Sequence, residues 1–401
     1  MKIEKMEERS IQEEKSDVVM NSQKICSRCI LDSSIPGIRF DDRGICNYCK
    51  IHDKLEERFP LGELGRQKLN QLIDKIKRRG KCKKYDCIVG ISGGTDSTYC
   101  LYMVKKLGLR PLAVHFDNGW DSEIAINNIR NAVTKLDVDL KTIAVDWEEF
   151  KDIQISFLKA SVPDVEIPTD IAIDSVLYRV AAKEGIHYII AGHSFRTEGL
   201  QPLEWMYADG KYIKSIHKKF GKLELNNFPN LTISDLLYYI FVKRIQTVHL
   251  LNYINYNKED ARKILEKEIG WKYYGGHHYE SIYTRFVASY ILPKKFGIDK
   301  RKVEYSALIR SGQMTRDEAL EKLKEPPISE EQAKRDKEYV LKKLELTEDE
   351  FEEIMSAEPK TFRDYPTYYP IIRALRGPIK LACKLRLLPY IFYAKYLGWN
   401  E

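Results

Sequence analysis

The chain has 401 residues, 43% of them apolar, with 66 Lys and Arg against 59 Asp and Glu, a formal charge of +7. That length calls for more than one structural unit and that apolar share suffices for a sizeable core, while so modest a charge excess suits an acidic small substrate as well as nucleic acid. No run approaches the roughly 18 apolar residues that span a bilayer, and the first twenty residues lack an apolar signal region, so a cytoplasmic protein with reduced cysteines is expected.

Residues 1–22, rich in Glu and Lys, read as a solvated arm. Residues 23–50 carry four cysteines, Pro36-Gly37 and Gly44, with too little apolar content for a core. Cys26-x2-Cys29 and Cys46-x2-Cys49 stand sixteen residues apart, the double-knuckle spacing of a structural zinc site. Four thiolates would complete a closed tetrahedron, and metal binding would replace the missing core. An iron–sulfur cluster is the alternative. Cys87, Cys100 and Cys383 read as buried apolar residues, and Cys82 as an exposed thiol. Residues 51–84 show helical spacing (Leu55, Leu64, Leu69, Leu72, Ile73, Ile76) and are expected to link this module to the domain that begins at 85.

From 85 to 200 the pattern alternates between strand and helix. Strands are predicted at 86–91, 111–116, 142–145 and 188–191, with helices at 98–107, after Asp121 or Ser122, at 147–159 and at 173–183. Such alternation implies an α/β fold, a parallel sheet with helices on both faces and right-handed crossovers. Ligands in such sheets sit beyond the carboxyl ends of the strands. Residues 201–325 read as a helical, substrate-binding region, and 326–401 as a charged helical segment with an amphipathic tail.

Ser92-Gly93-Gly94-Thr95-Asp96-Ser97 follows the first strand and opens a helix. Two glycines bring backbone N–H groups against a ligand, and the helix start adds unpaired donors and partial positive charge, which together suit phosphate. Ser92 and Ser97 add hydroxyls, and Asp96 is a candidate to orient the loop or hold Mg²⁺. The Lys-Ser or Lys-Thr ending of a Walker loop is missing. The pattern instead resembles the pyrophosphatase loop of N-type ATP pyrophosphatases, which cut ATP between its α- and β-phosphates. His115, Phe116 and Asp117 end the second strand, where adenine and ribose are recognised in folds of this kind; Asp117 reads equally as a turn residue. Gly192, at the end of the fourth strand, would permit close approach of a nucleotide, and His193 reads equally as a solvated histidine.

Taken in order, these blocks resemble the N-acetyl sugar amidotransferase family of the WbpG and PseA type, within the PP-loop superfamily. The resemblance rests on Cys-Ser-Arg-Cys at 26–29, Pro-Gly-Ile-Arg-Phe at 36–40, Gly-Ile-Cys-Asn-Tyr-Cys at 44–49 and Gly-Ile-Ser-Gly-Gly-Thr-Asp-Ser at 90–97. It continues through His-Phe-Asp-Asn-Gly-Trp at 115–120, Tyr-Gly-Gly-His-His-Tyr-Glu-Ser at 274–281 and Ser-Gly-Gln-Met-Thr-Arg-Asp-Glu-Ala at 311–319. It implies an adenine nucleotide alpha hydrolase-like fold with an N-terminal zinc ribbon. It further implies conversion of a sugar acetamido group to an acetamidino group, using ATP and Mg²⁺ and releasing AMP and pyrophosphate, in surface polysaccharide or nonulosonic acid synthesis. Ammonia would come from a HisH-type glutaminase with a HisF-type cyclase-like partner. The substrate would be an acetamido sugar, acidic or nucleotide-linked, with no nucleic acid.

On this reading Asp96 and Ser97 act at the phosphates, and His277, His278 and Glu280 are candidates for positioning or proton transfer. A polar turn after Gly275-Gly276 explains the last three as well. Arg285, Lys294 and Lys295 could meet an anionic substrate or simply face solvent, and Asp170 and Arg179 lie near the expected substrate side. A tRNA thiolation enzyme is the rival reading, since some combine zinc ribbons with such a loop; a zinc-ribbon adaptor with a relic loop is a third. The apolar and basic stretch at 371–399 suits docking on its own domain or a partner, with peripheral membrane contact left open.

Overall fold

The structure, a computed structural model, describes residues 24–384 together with residues 393, 396 and 397. The arm expected over 1–22 lies outside the described residues. Five strands form one parallel sheet: β1 (Cys87–Gly90), β2 (Pro111–Asp117), β3 (Leu140–Ala144), β4 (Tyr188–Ala191) and β5 (Gln246–His249), in the order β3-β2-β1-β4-β5. The central strand has no polar face because both of its faces are covered. Ile88 enters one apolar cluster, while Cys87 and Val89 enter another on the opposite side. Ile189 and the pair Tyr188 and Ile190 divide the same way on β4.

The first cluster takes Ile153 and Phe157 from a helix over Trp147–Lys159 and Val176 and Val180 from one over Ile167–Lys183. The second takes Cys100, Leu101 and Val104 from the helix Thr95–Lys106, and Ile129 and Ala132 from Glu123–Leu136. It also takes Leu69, Ile73 and Ile76 from the helix Gly62–Gly80. The segment expected as a linker over 51–84 therefore covers one face of the sheet. Its apolar residues fall on a single helical stripe, and that stripe needs a surface to bury.

Three further differences have local causes. The first sheet helix starts at Thr95, not at Thr98, so the second half of the phosphate-gripping loop is helical. The helix expected from 173 begins at Ile167, with Pro168 in its first turn where no N–H is needed. The fifth strand has no counterpart among the predicted elements, because Gln246 and Thr247 are exposed at the sheet edge and carry no apolar alternation. Among the described residues no helix is long and apolar enough to cross a membrane.

The region after 326 is part of the main core. Helices Glu330–Leu344 and Glu348–Ser356 bury Val340, Leu341, Leu344, Phe351 and Ile354 in the first cluster. Arg285 meets Asp336 through two bonds of 2.7 Å, and Lys295 donates to the carbonyls of Ile354 and Ala357. Lys294 lies 3.9 Å from the Tyr290 ring. Arg285 and Lys295 therefore fasten the C-terminal helices, while Lys294 packs on a neighbouring ring.

Removing one partner of the Arg285–Asp336 pair leaves a buried charge unmatched. Asp336→Ala is expected to lose roughly 3–5 kcal/mol in urea unfolding, and replacing both residues by apolar ones of similar volume should recover most of it.

Candidate functional site

The phosphate-gripping loop lies between β1 and β4, where the strand order reverses, the usual crevice for ligands in such sheets. Gly93 has φ +78°, and a Cβ there would lie 2.4 Å from the Ala125 carbonyl oxygen. The Gly93 carbonyl accepts from Trp271 Nε1 at 2.9 Å and Asn128 Nδ2 at 3.2 Å. Thr95 N–H donates to Tyr274 Oη at 3.0 Å, and the Ser92 and Ser97 hydroxyls stand 3.1 Å apart. The loop is thus held open from outside by aromatic groups far along the chain.

Gly192 is explained by this packing. A Cβ there would come within 2.9 Å of the Asp96 carbonyl, so the glycine makes room for the helix start. The side chains of His115 and Phe116 also turn inward. His115 Nδ1 lies 3.0 Å from the Ile91 carbonyl and its Nε2 3.2 Å from Asp121, while Phe116 packs edge-on to Phe150. Asp117 accepts from Gly119 N–H at 2.9 Å as a turn residue. Any contact of His115 or Phe116 with adenine therefore falls to the backbone of that strand. His193 is not simply solvated, since its Nδ1 lies 2.5 Å from Glu198.

Glu280 comes directly onto the loop, with His278 beside it and His277 against Lys258. Glu280 accepts from the Ser92 hydroxyl at 3.1 Å, and its Oε1 lies 2.4 Å from where a Gly94 Cβ would be. Its other oxygen is buried with no hydrogen-bond partner. His278 has φ +59°, a left-handed conformation that costs a β-carbon residue energy and that clusters at functional sites. Its Nδ1 is 3.8 Å from Glu280. Burial alone would lower the His278 pKa, but the Glu280 carboxylate outweighs it and raises the pKa to about 9. His277 goes the other way: burial, then His278 and Lys258, hold it well below the usual imidazole range. One of the paired rings is therefore charged at neutral pH and the other is not.

Lys258 and Glu304 complete the cluster. Lys258 Nζ lies 2.7 Å from His277 Nδ1, 3.5 Å from Asp96 and 3.6 Å from Glu304. Asp96 also accepts from Tyr256 Oη at 2.5 Å. Burial raises the Glu304 pKa, and its neighbour Lys258 only partly offsets that. Neither Lys258 nor Glu304 carries a sequence signal, for each is one charged residue on a charged helix. A cleft of 410 Å³ opens beside them, lined also by Arg262, Tyr273, Lys300 and Arg301. Arg179 lies elsewhere, with its guanidinium on the Asn230 carbonyl at 3.5 Å, and neither it nor Asp170 lines the cleft.

The four cysteines at 26, 29, 46 and 49 are fully buried, with Sγ atoms 3.6, 3.7 and 3.9 Å apart across three of their pairs. Zinc bonds of about 2.3 Å in a tetrahedron require sulfur separations of about 3.8 Å, so the donor set fits zinc. Backbone N–H groups of Arg28 and Cys46 point at Cys26 Sγ, at 3.4 and 3.2 Å, as they would toward a thiolate. The module is docked on the helix Arg301–Arg310: Lys302 holds Asp32 at 2.6 Å, and Ser306 accepts from Ile30 N–H at 3.3 Å. That same helix carries Glu304, so the cysteine module braces one wall of the cleft.

Two family models match the chain. One, described as queuosine biosynthesis protein QueC, matches residues 86–178; the other, LPS biosynthesis protein WbpG-like, C-terminal domain, matches residues 280–376. Among relatives, the uncharacterized protein MJ1599 of Methanocaldococcus jannaschii is 24% identical over 76% of this chain and 95% of its own length. A probable mitochondrial tRNA-specific 2-thiouridylase of Caenorhabditis elegans is 25% identical over 27% of this chain and 33% of its own. An NH3-dependent NAD synthetase from Campylobacter jejuni aligns over 66% of this chain and 99% of its own, at 17% identity and a TM-score of 0.27. The U34-tRNA thiolase NcsA from Methanococcus maripaludis aligns over 72% and 87%, at 13% identity and a TM-score of 0.29. Scores so low say nothing about activity.

Residues 86–178, which hold the phosphate-gripping loop, are thus similar to a queuosine biosynthesis protein and have the layout of a PP-loop ATP pyrophosphatase-like domain. The match to the WbpG-like C-terminal domain starts at Glu280, the residue that accepts from Ser92 of the loop.

Cys49→Ser is expected to remove one bound metal equivalent per chain, measured by elemental analysis of the purified protein. The His278–Glu280 pair has a folded-state imidazole pKa above the ordinary value, so its stabilisation is complete below about pH 6.5 and disappears as pH rises through about 9. The difference in Tm between the wild type and His278→Gln should narrow over that interval.

Proposed function

We propose that this protein converts a sugar acetamido group to an acetamidino group, with ATP as activator and ammonia as nitrogen donor. The observation that carries the reading is the contact of Glu280 with Ser92, which joins the start of the WbpG-like segment to the phosphate-gripping loop. An amide carbonyl is a poor electrophile, and its oxygen cannot leave as oxide. The acetamido oxygen attacks the α-phosphorus of ATP, the bond to the β-phosphate breaks and pyrophosphate departs. Ammonia then adds to the activated carbon, the carbon–oxygen bond breaks, AMP leaves with the oxygen and one proton is given up.

Each step has a group in place. The N–H groups at the start of the helix, with the Ser92 and Ser97 hydroxyls, meet the negative charge on the departing pyrophosphate. Lys258 adds a buried positive charge behind Asp96. Glu304, whose pKa burial raises, suits acceptance of the proton released as ammonia adds. Neutral His277, accepting from Lys258, keeps that ammonium aimed toward the loop. The buried, unpartnered oxygen of Glu280 beside the loop is a fitting ligand for the Mg²⁺ that accompanies ATP. When bound, that ion would neutralise phosphate charge.

The acetamido sugar, carrying a carboxylate or a nucleotide, occupies the cleft lined by Arg262, Lys300 and Arg301. A HisH-type glutaminase and a HisF-type partner supply the ammonia, and the pathway is that of a surface polysaccharide or nonulosonic acid. The thiolation reading finds no support among the cysteines near the loop. Cys87 and Cys100 are fully buried, and burial pushes both thiols up, away from nucleophilic thiolate.

The enzyme incubated with ammonium, Mg-ATP and a panel of acetamido sugars should form AMP and pyrophosphate in equal amounts. The sugar mass should fall by the difference between O and NH. ADP release, or AMP formed only with tRNA, would overturn the reading. Ser97→Ala is expected to lower kcat on the order of 10²-fold, as for loss of one preorganised donor, with zinc content unchanged.

A further inference from the structure

Between Asp364 and Glu401 the chain contains no Asp or Glu, yet it carries Arg373, Arg376, Lys380, Lys384, Arg386 and Lys395. Nowhere else in the sequence does so long a stretch lack acidic residues. Two short helices, Tyr369–Ala374 and Arg376–Lys384, run through the first part of that stretch. Leu375 N–H donates to the Ile371 carbonyl and Ile379 N–H to that of Leu375, so these three residues succeed one another along one helical stripe. Ile372 and Cys383 are buried and anchor the helices on the body. Ile371 is 52% exposed, Leu375 48% and Leu381 57%, high values for side chains whose neighbours are cations.

A groove of 790 Å³ lies at the root of the same helices. Lys211, Arg363 and Arg373 line it with Phe362, Tyr365 and Tyr369, and no acidic residue does. Arg363 also holds Glu204 at 2.9 Å. Exposed aliphatic residues among cations, with an aromatic and basic groove at the root of the same helices, are what an anionic lipid surface complements: apolar residues enter the headgroup boundary while cations meet the phosphates.

We infer that the face formed by residues 362–384 docks on an anionic bilayer, with the groove receiving lipid phosphate. The inference stands apart from the amidotransferase reading and does not depend on it. The full chain is to be sedimented with vesicles of phosphatidylcholine alone, and of phosphatidylcholine and phosphatidylglycerol in equal parts. It should sediment with the mixed vesicles only, and molar salt should release it.

Neutralising Arg373, Arg376 and Lys380 to Gln should weaken the partition by about fivefold per cation, on the order of a hundredfold together. Leu375→Glu with Leu381→Glu should abolish it while zinc content and circular dichroism stay unchanged. Should that double variant fail to fold, the salt titration and the Gln variants still decide. Equal binding to both vesicles, no binding to either, or an unchanged partition in the Gln variants would overturn the inference. So would a wild-type dimer that the leucine variants dissociate, which would give the face to a second copy of the chain.

Discussion

A carboxylate rests against a residue without a β-carbon that stands far earlier in the chain. Glu280 Oε1 occupies the space a Gly94 side chain would need, 2.4 Å from the ideal Cβ, and takes the Ser92 hydroxyl. That approach forces the two domains to meet at the point where phosphate would be held. It also requires the strand ahead of the loop to be immobile. Cys87, Ile88 and Val89 achieve this because alternate residues are locked into separate cores on either side of the sheet.

The charges around this contact are densely packed and differently tuned. Two adjacent histidines part company: a carboxylate holds one charged, while burial, the charged neighbour and Lys258 hold the other neutral. Lys258 binds Asp96, Glu304 and His277 into one network. A network of this kind is costly to bury, and its partial compensation suits a site that receives a polyanion. The left-handed backbone of His278 adds local strain that the flanking glycines and the Ser281 N-cap turn absorb.

The cysteine module and the C-terminal helices frame this site from two sides. Asp32 and Ile30 hold the helix that presents Glu304, and Arg285 ties the helix following Ser281 to Asp336. Metal binding is thereby coupled to the geometry of a cleft wall although the four thiolates leave no coordination position open for chemistry. A chain that loses the metal should lose the alignment of Glu304 before it loses the sheet.

What could be read from residues alone was local. The Ser-Gly-Gly-Thr-Asp-Ser loop, the paired Cys-x2-Cys knuckles and four of the five strands announce themselves because backbone freedom, ligand spacing and apolar runs act over a few residues. The order of later blocks, among them the one with His277, His278 and Glu280, was visible too, though not where they would lie. Folding decided the rest. It set Glu280 against the loop with the two histidines beside it, recruited Lys258 and Glu304, and turned Arg285 and Lys295 to structural use. It also made Gly192 a packing residue and drew the supposed linker and tail into the core. A lone charge has no period or motif to betray it, and its role depends on which distant carboxylate or ring the packed chain brings within a few ångströms.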